Sequence, residues 1–346
     1  MGMISPTRFQ FDGPIPEQTL QELVGNPRLE VLQCSVPVDT SVWARLNESF
    51  FTARPDVSLR VYGHYSTDCD LSFARYAPNV RHFSADCLMR ATNVEAIAEI
   101  PRLESLSLGI YDLESFRVLE LIPGTLTSLA LGTTKSKKPN LIPLDRFRSL
   151  RVLHLEGQSK GIEVLSRLQE LEDVTLRSIT TPDLGYLAPL KKLWSLDIKL
   201  GGIRSFRGIE GKESIKYLEI WQVRELNHVD IIADLPKLQN LFLQSLPLIK
   251  SLPQLAKAMF LRRMVLENLK GMQDFSAVEK APTLEEFALI VGNKQTPDQL
   301  LPVLRNANVR RVSAHFGSDR KNEAFTRLAE KYGKSHWDFL KPFEYR

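Results

Sequence analysis

The sequence predicts an α/β solenoid: a curved horseshoe of stacked short units, with parallel strands lining its concave face and short helical, 3₁₀ or irregular returns on its convex side. Three observations predict it. An apolar motif of fixed shape recurs along most of the chain, its copies start at nearly equal intervals, and each is followed by a second apolar segment with a different spacing.

The motif is Leu-x-x-Leu-x-Leu. It reads Leu103, Leu106, Leu108, then Leu126, Leu129, Leu131, then Leu150, Leu153, Leu155. It continues as Leu171, Val174, Leu176; Leu193, Leu196, Ile198; Ile215, Leu218, Ile220; and Leu238, Leu241, Leu243. Weaker copies follow at Leu261, Met264, Leu266; Leu284, Phe287, Leu289; and Val309, Val312, Ala314. Upstream, Val80, Phe83, Ala85 and Leu29, Leu32, Cys34 fit, with a degenerate copy near Leu59 and Val61. From Val80 to Val309 successive copies start 21 to 25 residues apart. Random Leu-rich sequence gives isolated matches, whereas a sustained period requires a repeating structural unit.

The spacing dictates the geometry. The last two apolar positions of the motif are two residues apart, so they share one face of a short strand while the residue between them points away. Segments such as Leu113, Phe116 and Leu119, at spacing three, suit a tight helical or 3₁₀ return. One such unit cannot cover its own apolar face, so neighbours must stack into a continuous core with a parallel sheet along one side. The returns need more room than the strands, which places the strands on the inner, concave surface.

This pattern divides the chain into residues 1–28, an N-terminal cap carrying Pro6, Phe9, Phe11, Pro14 and Pro16; residues 29–316, about 13 repeats of about 23 residues; and residues 317–346, a C-terminal cap. In the last segment Phe325, Leu328, Ala329 and Tyr332 fall at helical spacing, and Trp337, Phe339, Leu340 and Phe343 follow as a lid.

Charge and cysteine content narrow the function classes. A net charge of +4, from 45 basic and 41 acidic residues, is dispersed and does not point to nucleic acid. The tightest basic cluster, Lys135, Lys137 and Lys138 beside Pro139, reads as a solvated loop. The start lacks a basic region followed by an apolar stretch, and no run of about 18 apolar residues occurs, so neither a standard signal peptide nor a membrane span is expected. Cys34, Cys69 and Cys87 are too few and too widely spaced for a disulfide framework or a zinc site, which fits a reducing cytoplasm. Secretion by a non-standard route stays open.

On these residues the chain resembles the leucine-rich-repeat family, in its shorter-repeat forms such as the internalin-like proteins and a phosphatase regulatory subunit. The resemblance covers Val80 to Phe316. It implies a horseshoe that binds another protein. The chain departs from the family at one position. Three residues after the last strand Leu, where the family places Asn, Cys or Thr to bond neighbouring turns, stand Tyr111, Thr134, Gln158, Ile179, Gly201, Val223, Leu246, Leu269 and Gly292. Only Thr134 fits, and an apolar ladder with altered turn geometry is expected instead.

No phosphate-binding loop, dinucleotide fingerprint, zinc-protease motif or nucleophile elbow occurs, and the six histidines are scattered. No catalytic residue, metal site or cofactor is therefore expected. Gly201-Gly202 reads as a flexible turn. The ubiquitin-ligase domain that some bacterial family members carry finds no room after the last repeat. The chemistry instead points to the outward strand positions, which pass from small residues near Ser105 and Ser128 to charged and aromatic ones further on. Arg177, Trp194, Asp197, Lys199, Tyr217, Glu219, Trp221, Phe242, Gln244, Arg263 and Glu267 form the expected partner-binding patch, the exposed Trp, Tyr and Arg composition of interface hot spots. A weaker candidate is Arg60, Tyr62, His82 and Asp86. The expected function is a non-catalytic protein-binding module, such as an adaptor, inhibitor or regulatory subunit. Alternatives are a bacterial effector or toxin-immunity protein using the same surface and, less favoured, nucleic-acid binding through Arg262-Arg263 and Arg310-Arg311.

Overall fold

A computed structural model describes residues 1–64, 67–136, 139–339 and 341–346. Lys137, Lys138 and Leu340 lie outside the described residues. The chain forms two compact units, Met1–Leu171 and Glu172–Arg346.

The first unit opens with an antiparallel pair, β1 (Gly2–Ser5) and β2 (Arg8–Phe11). A parallel ladder then runs through β3 (Val31–Cys34), β4 (Ser58–Tyr62), β6 (His82–Leu88), β8 (Ser105–Ile110), β9 (Ser128–Leu131) and β10 (Val152–Glu156). Two short strands, β5 (Cys69–Asp70) and β7 (Ala91–Thr92), pair separately. Register follows the motif: Phe9 opposes Leu32, Leu32 opposes Leu59, Leu59 opposes Phe83, and the row continues through Leu106 and Leu129 to Leu153. Every one of these is buried. The copy that looks degenerate in sequence, Leu59 and Val61, is regular in space, because what the stack requires is two inward apolar side chains and not a leucine at each position. Phe9 and Phe11 likewise make β2 a member of the ladder.

The second unit is a parallel ladder throughout: β11 (Asp173–Arg177), β12 (Ser195–Lys199), β13 (Tyr217–Trp221), β14 (Asn240–Gln244), β15 (Arg263–Glu267), β16 (Glu286–Ile290), β17 (Arg311–Ala314) and β18 (Ser335–His336). Val174, Leu196, Leu218, Leu241, Met264, Phe287 and Val312 stack in one row and are at most 2% exposed. Between strands the chain returns through short segments, among them 3₁₀ at Val94–Glu99, Ile162–Arg167 and Ser276–Lys280 and helical at Val118–Leu121 and Ile231–Asp234. A longer helix, Asp319–Lys331, buries Phe325 and Ala329.

The turn after each strand replaces the missing Asn ladder in two ways. Ile179, Leu246 and Leu269 are fully buried and Val223 nearly so, which is the expected apolar ladder. One residue earlier, Ser178, Leu200, Gln222, Ser245, Asn268 and Val291 all adopt left-handed backbone, with φ between 51° and 57°. Five of the six donate their N–H to the neighbouring repeat: Ser178 to the Lys199 carbonyl at 2.7 Å, Leu200 to Trp221 at 2.9 Å, Gln222 to Gln244 at 2.9 Å, Ser245 to Glu267 at 2.9 Å and Asn268 to Ile290 at 2.8 Å. Backbone thus supplies bonds that side chains supply elsewhere. Leaving such groups buried and unpaired costs about 1–3 kcal/mol each, and a left-handed residue other than glycine costs about 1–2 kcal/mol.

Gly201 is not a flexible turn but a point of close approach, since a β-carbon there would meet the carbonyl oxygen of Ile179 in the preceding repeat. Gly201→Ala is expected to destabilise the second unit by about 1–3 kcal/mol through this overlap. Val291 is a β-branched residue at φ 54° and 41% exposed, so Val291→Asn is expected to stabilise by about 0.5–1 kcal/mol by relieving the left-handed penalty. Urea denaturation of the two variants, with opposite signs expected, checks both.

Candidate protein-interaction face

The outward side chains of the second unit form three rows, because each strand pairs with the next without a shift. The first row is Asp173, Ser195, Tyr217, Asn240, Arg263, Glu286 and Arg311; the middle row is Thr175, Asp197, Glu219, Phe242, Val265, Ala288 and Ser313; the last row is Arg177, Lys199, Trp221, Gln244, Glu267 and Ile290. Adjacent strands lie about 4.8 Å apart, so neighbours within a row touch.

At one end of the middle row the charges satisfy each other. The Lys199 ammonium lies 2.8 Å from Asp197 and 3.2 Å from Glu219, and the Tyr217 hydroxyl donates to Glu219 at 2.9 Å. Burial pushes the Glu219 carboxyl up, and the nearby Asp197 adds to the push against the opposing Lys199 and Tyr217. Asp173 is raised for the same two reasons. Burial also raises the Tyr217 phenol. Burial alone would lower the Lys199 ammonium, but Asp197 and Glu219 outweigh it and hold it above the ordinary lysine value.

The last row stays half-buried along its length. The Arg177 guanidinium sits 5.5 Å from the centre of the Trp221 ring, and Gln244 donates to Glu267 at 2.9 Å. These contacts order the side chains before any partner arrives.

Elsewhere the expected patch is corrected, because Trp337, Lys341, Phe343 and Tyr345 lie across it. Arg263 is 7% exposed, bonded to Glu286 at 2.5 Å and to the Lys341 carbonyl at 3.0 Å, with its guanidinium 4.7 Å from the Trp337 ring and 4.9 Å from the Phe343 ring. Glu286 also pairs with Arg311. Phe242 is half-buried and packs with Val265, Ala288 and Trp337. Trp194, just before β12, meets Tyr345 edge-on at 5.1 Å. Glu219 is 8% exposed, so it supports Lys199 and Tyr217 more than it faces solvent. Sequence reasoning placed Trp337, Phe339 and Phe343 in an end lid and missed their position on the sheet. One signal was available: the middle row turns apolar at Phe242, Val265 and Ala288, and an outward apolar run needs a cover.

In the first unit the weaker candidate is brought together in part. The Arg60 guanidinium forks onto Asp86 at 2.5–3.0 Å, donates to Gln33 at 3.1 Å and stacks 4.3 Å from the Tyr62 ring. Tyr62 and Gln33 both donate to Gln10 at 2.9 Å, and Ser84 donates to Asp86 at 2.7 Å. Burial pushes the Asp86 carboxyl up, but Arg60 and Ser84 outweigh it and hold it below the ordinary aspartate value. Gln10, Gln33 and Ser84 escaped the sequence reading, and His82 takes no part in these contacts. The network is internally satisfied.

Cys34 and Cys69 are buried and Cys87 is exposed. Burial pushes the Cys69 thiol up to about 12 and raises that of Cys87, with Asp86 adding to it; neither is poised as a thiolate at neutral pH. Among the described residues no group of three or more His, Cys, Asp or Glu is disposed to hold a metal ion, and no helix is long and apolar enough to cross a membrane.

The raised Asp173 carboxyl has a testable consequence. The folded state keeps a proton that the unfolded chain releases, so the stability this group contributes is present below the ordinary aspartate value of about 3.9 and is lost as pH rises through the raised folded value. Thermal melts between about pH 4 and 7 are expected to show a smaller fall in melting temperature with rising pH for Asp173→Asn than for the parent chain.

Comparison with known proteins gives likeness of fold. No family model and no curated relative matches the sequence. Among solved structures, an internalin (inlF) from Listeria monocytogenes superposes with a TM-score of 0.52 at 18% identity, over 84% of this chain and 82% of that one. A leucine-rich-repeat protein from Leptospira interrogans matches with a TM-score of 0.46 at 16% identity, over 94% and 93%, and TLR13 in a complex with ssRNA13 matches at 0.44 and 15%, over 90% and 61%. With the period in the sequence and the in-register parallel ladders, the internalin likeness settles the fold: this chain folds as a leucine-rich-repeat solenoid.

Proposed function

We propose that the chain is a non-catalytic protein-binding module, an adaptor, inhibitor or regulatory subunit, whose partner seats on the outward face of β11–β15. One observation carries this reading: the row Arg177, Lys199, Trp221, Gln244 and Glu267 is half-buried, ordered by its own contacts and mounted on strands. An aromatic ring with an arginine over it, flanked by charges on a rigid support, is the composition of an interface anchor and binds at low entropic cost. Tyr217 and Phe242 support this surface from within. Phosphate binding through Arg262 and Arg263 is disfavoured, because each already pairs with a glutamate, Glu285 and Glu286. On the same reading residues 1–28 and the helix Asp319–Lys331 close the apolar ends of the repeats at 29–316, while the chain beyond Trp337 covers the sheet, and the three free cysteines suit a reducing cytoplasm.

The test is capture of a partner from a lysate of the source organism on the immobilised chain, followed by measurement of its affinity. The Arg177→Ala and Trp221→Ala variants are each expected to weaken that affinity by about 2 kcal/mol, roughly thirtyfold, with unchanged melting temperature. Unaltered binding by both folded variants would sink the proposal.

A further inference from the structure

We propose that the outward groove over β14–β16 is a receptor for an aromatic-rich peptide, and that the segment carrying Trp337, Phe339, Phe343 and Tyr345 is its resident occupant, which a partner segment of the same chemistry displaces. This rests on the reading of the sheet face as a protein-binding surface and states what blocks part of that face and what kind of partner opens it.

Four observations support it. The groove floor, Phe242, Val265 and Ala288, is apolar on a side of the sheet that is polar at Thr175, Asp197 and Glu219 before it and at Ser313 after it. Trp337 fills that floor, with Phe339 beside it at 6.4 Å.

The occupant is gripped largely through its backbone. Arg262 donates to the Glu344 carbonyl at 2.8 Å and Arg263 to the Lys341 carbonyl at 3.0 Å. Gln239 donates to the Arg346 carbonyl at 2.6 Å and accepts from the Arg346 N–H at 2.9 Å. These are groups that any peptide offers. Side-chain selection comes from aromatic rings: Phe343 lies 5.0 Å and 4.9 Å from the guanidinium groups of Arg262 and Arg263, and Tyr345 packs on Trp194.

The aromatics form two pairs, Trp337 with Phe339 at 6.4 Å and Phe343 with Tyr345 at 4.8 Å, separated by a turn in which the Lys341 N–H donates to the Asp338 carbonyl at 3.2 Å. The last strand pairing is at Ser335 and His336, so beyond it this strap of chain is held by side chains of the sheet and not by a strand ladder, and an open cleft of about 320 Å³ borders it beside Arg262, Arg263, Glu286 and Arg311. A tethered occupant holds its groove by high effective concentration without needing tight intrinsic affinity, so it excludes weak ligands and yields to a better one.

A fluorescent peptide of sequence WDFLKPFEYR, copied from residues 337–346, tests this by anisotropy against the full chain and a full-length Phe343→Ala/Tyr345→Ala variant, which loosens the strap but keeps Trp337 and β18. The double variant is expected to bind the peptide at least tenfold more tightly than the parent, and Arg263→Ala added to it is expected to abolish the gain. A folded double variant that binds no better than the parent overturns the proposal and leaves the Arg177 and Trp221 surface standing. Peptide capture supports it whatever the outcome of the partner-affinity test. Should the double variant fail to fold, hydrogen exchange of the unsubstituted chain decides: backbone amides of residues 341–346 are expected to exchange at least a hundredfold faster than those of β14–β16, and equal protection overturns the proposal.

Discussion

The interaction on which everything else depends is the in-register pairing of one strand with the next. Each repeat offers two inward apolar side chains and three outward positions, and zero shift between neighbours carries both patterns across each unit. A slip of one residue would exchange core for surface in every row at once. The left-handed residue that follows β11 to β16 belongs to this constraint. It aims a backbone N–H at the adjoining repeat, so the turn and the strand enforce the same alignment.

The rows explain how a stack with a uniform core can have a face that changes character. Inward positions are interchangeable, since any apolar residue of suitable size satisfies them, as Val61 and Phe287 do beside the leucines. Outward positions escape that demand and differ from strand to strand. Charges cluster around Lys199, an aromatic and a guanidinium meet at Arg177 and Trp221, and an apolar floor develops from Phe242 onward. One sheet thus presents two surfaces, one open and one occupied.

The repeat architecture was legible in sequence because period-two apolar spacing and a constant interval leave few alternatives. The apolar ladder at Ile179, Val223, Leu246 and Leu269 was legible as well, whereas of the return expected at Leu113, Phe116 and Leu119 only Leu119 lies in a helical turn, Val118–Leu121. The left-handed turns were not: Ser178, Leu200, Gln222, Ser245, Asn268 and Val291 are of five residue types, so backbone conformation repeated there without a sequence mark. At the candidate site, alternation put Arg177, Lys199, Trp221, Gln244 and Glu267 on one row, as expected. Arg263, Phe242 and Trp194 were assigned to solvent because alternation tells which way a side chain points and not what lies over it. Their cover comes from residues some 70 to 150 positions later, a tertiary contact that no local pattern encodes.

The alternation of Arg263, Glu286 and Arg311 along the first row has a further consequence. These strands carry the weakest copies of the repeat, with Val309, Val312 and Ala314 giving little to distinguish correct alignment from its neighbours by apolar contact alone. Opposite charges facing each other across consecutive strands supply the missing discrimination. A buried glutamate flanked by two guanidinium groups is matched in one arrangement and stranded in others. Where leucine no longer dictates alignment, electrostatics takes over the task, and proofreading passes from the interior of the repeats to their surface.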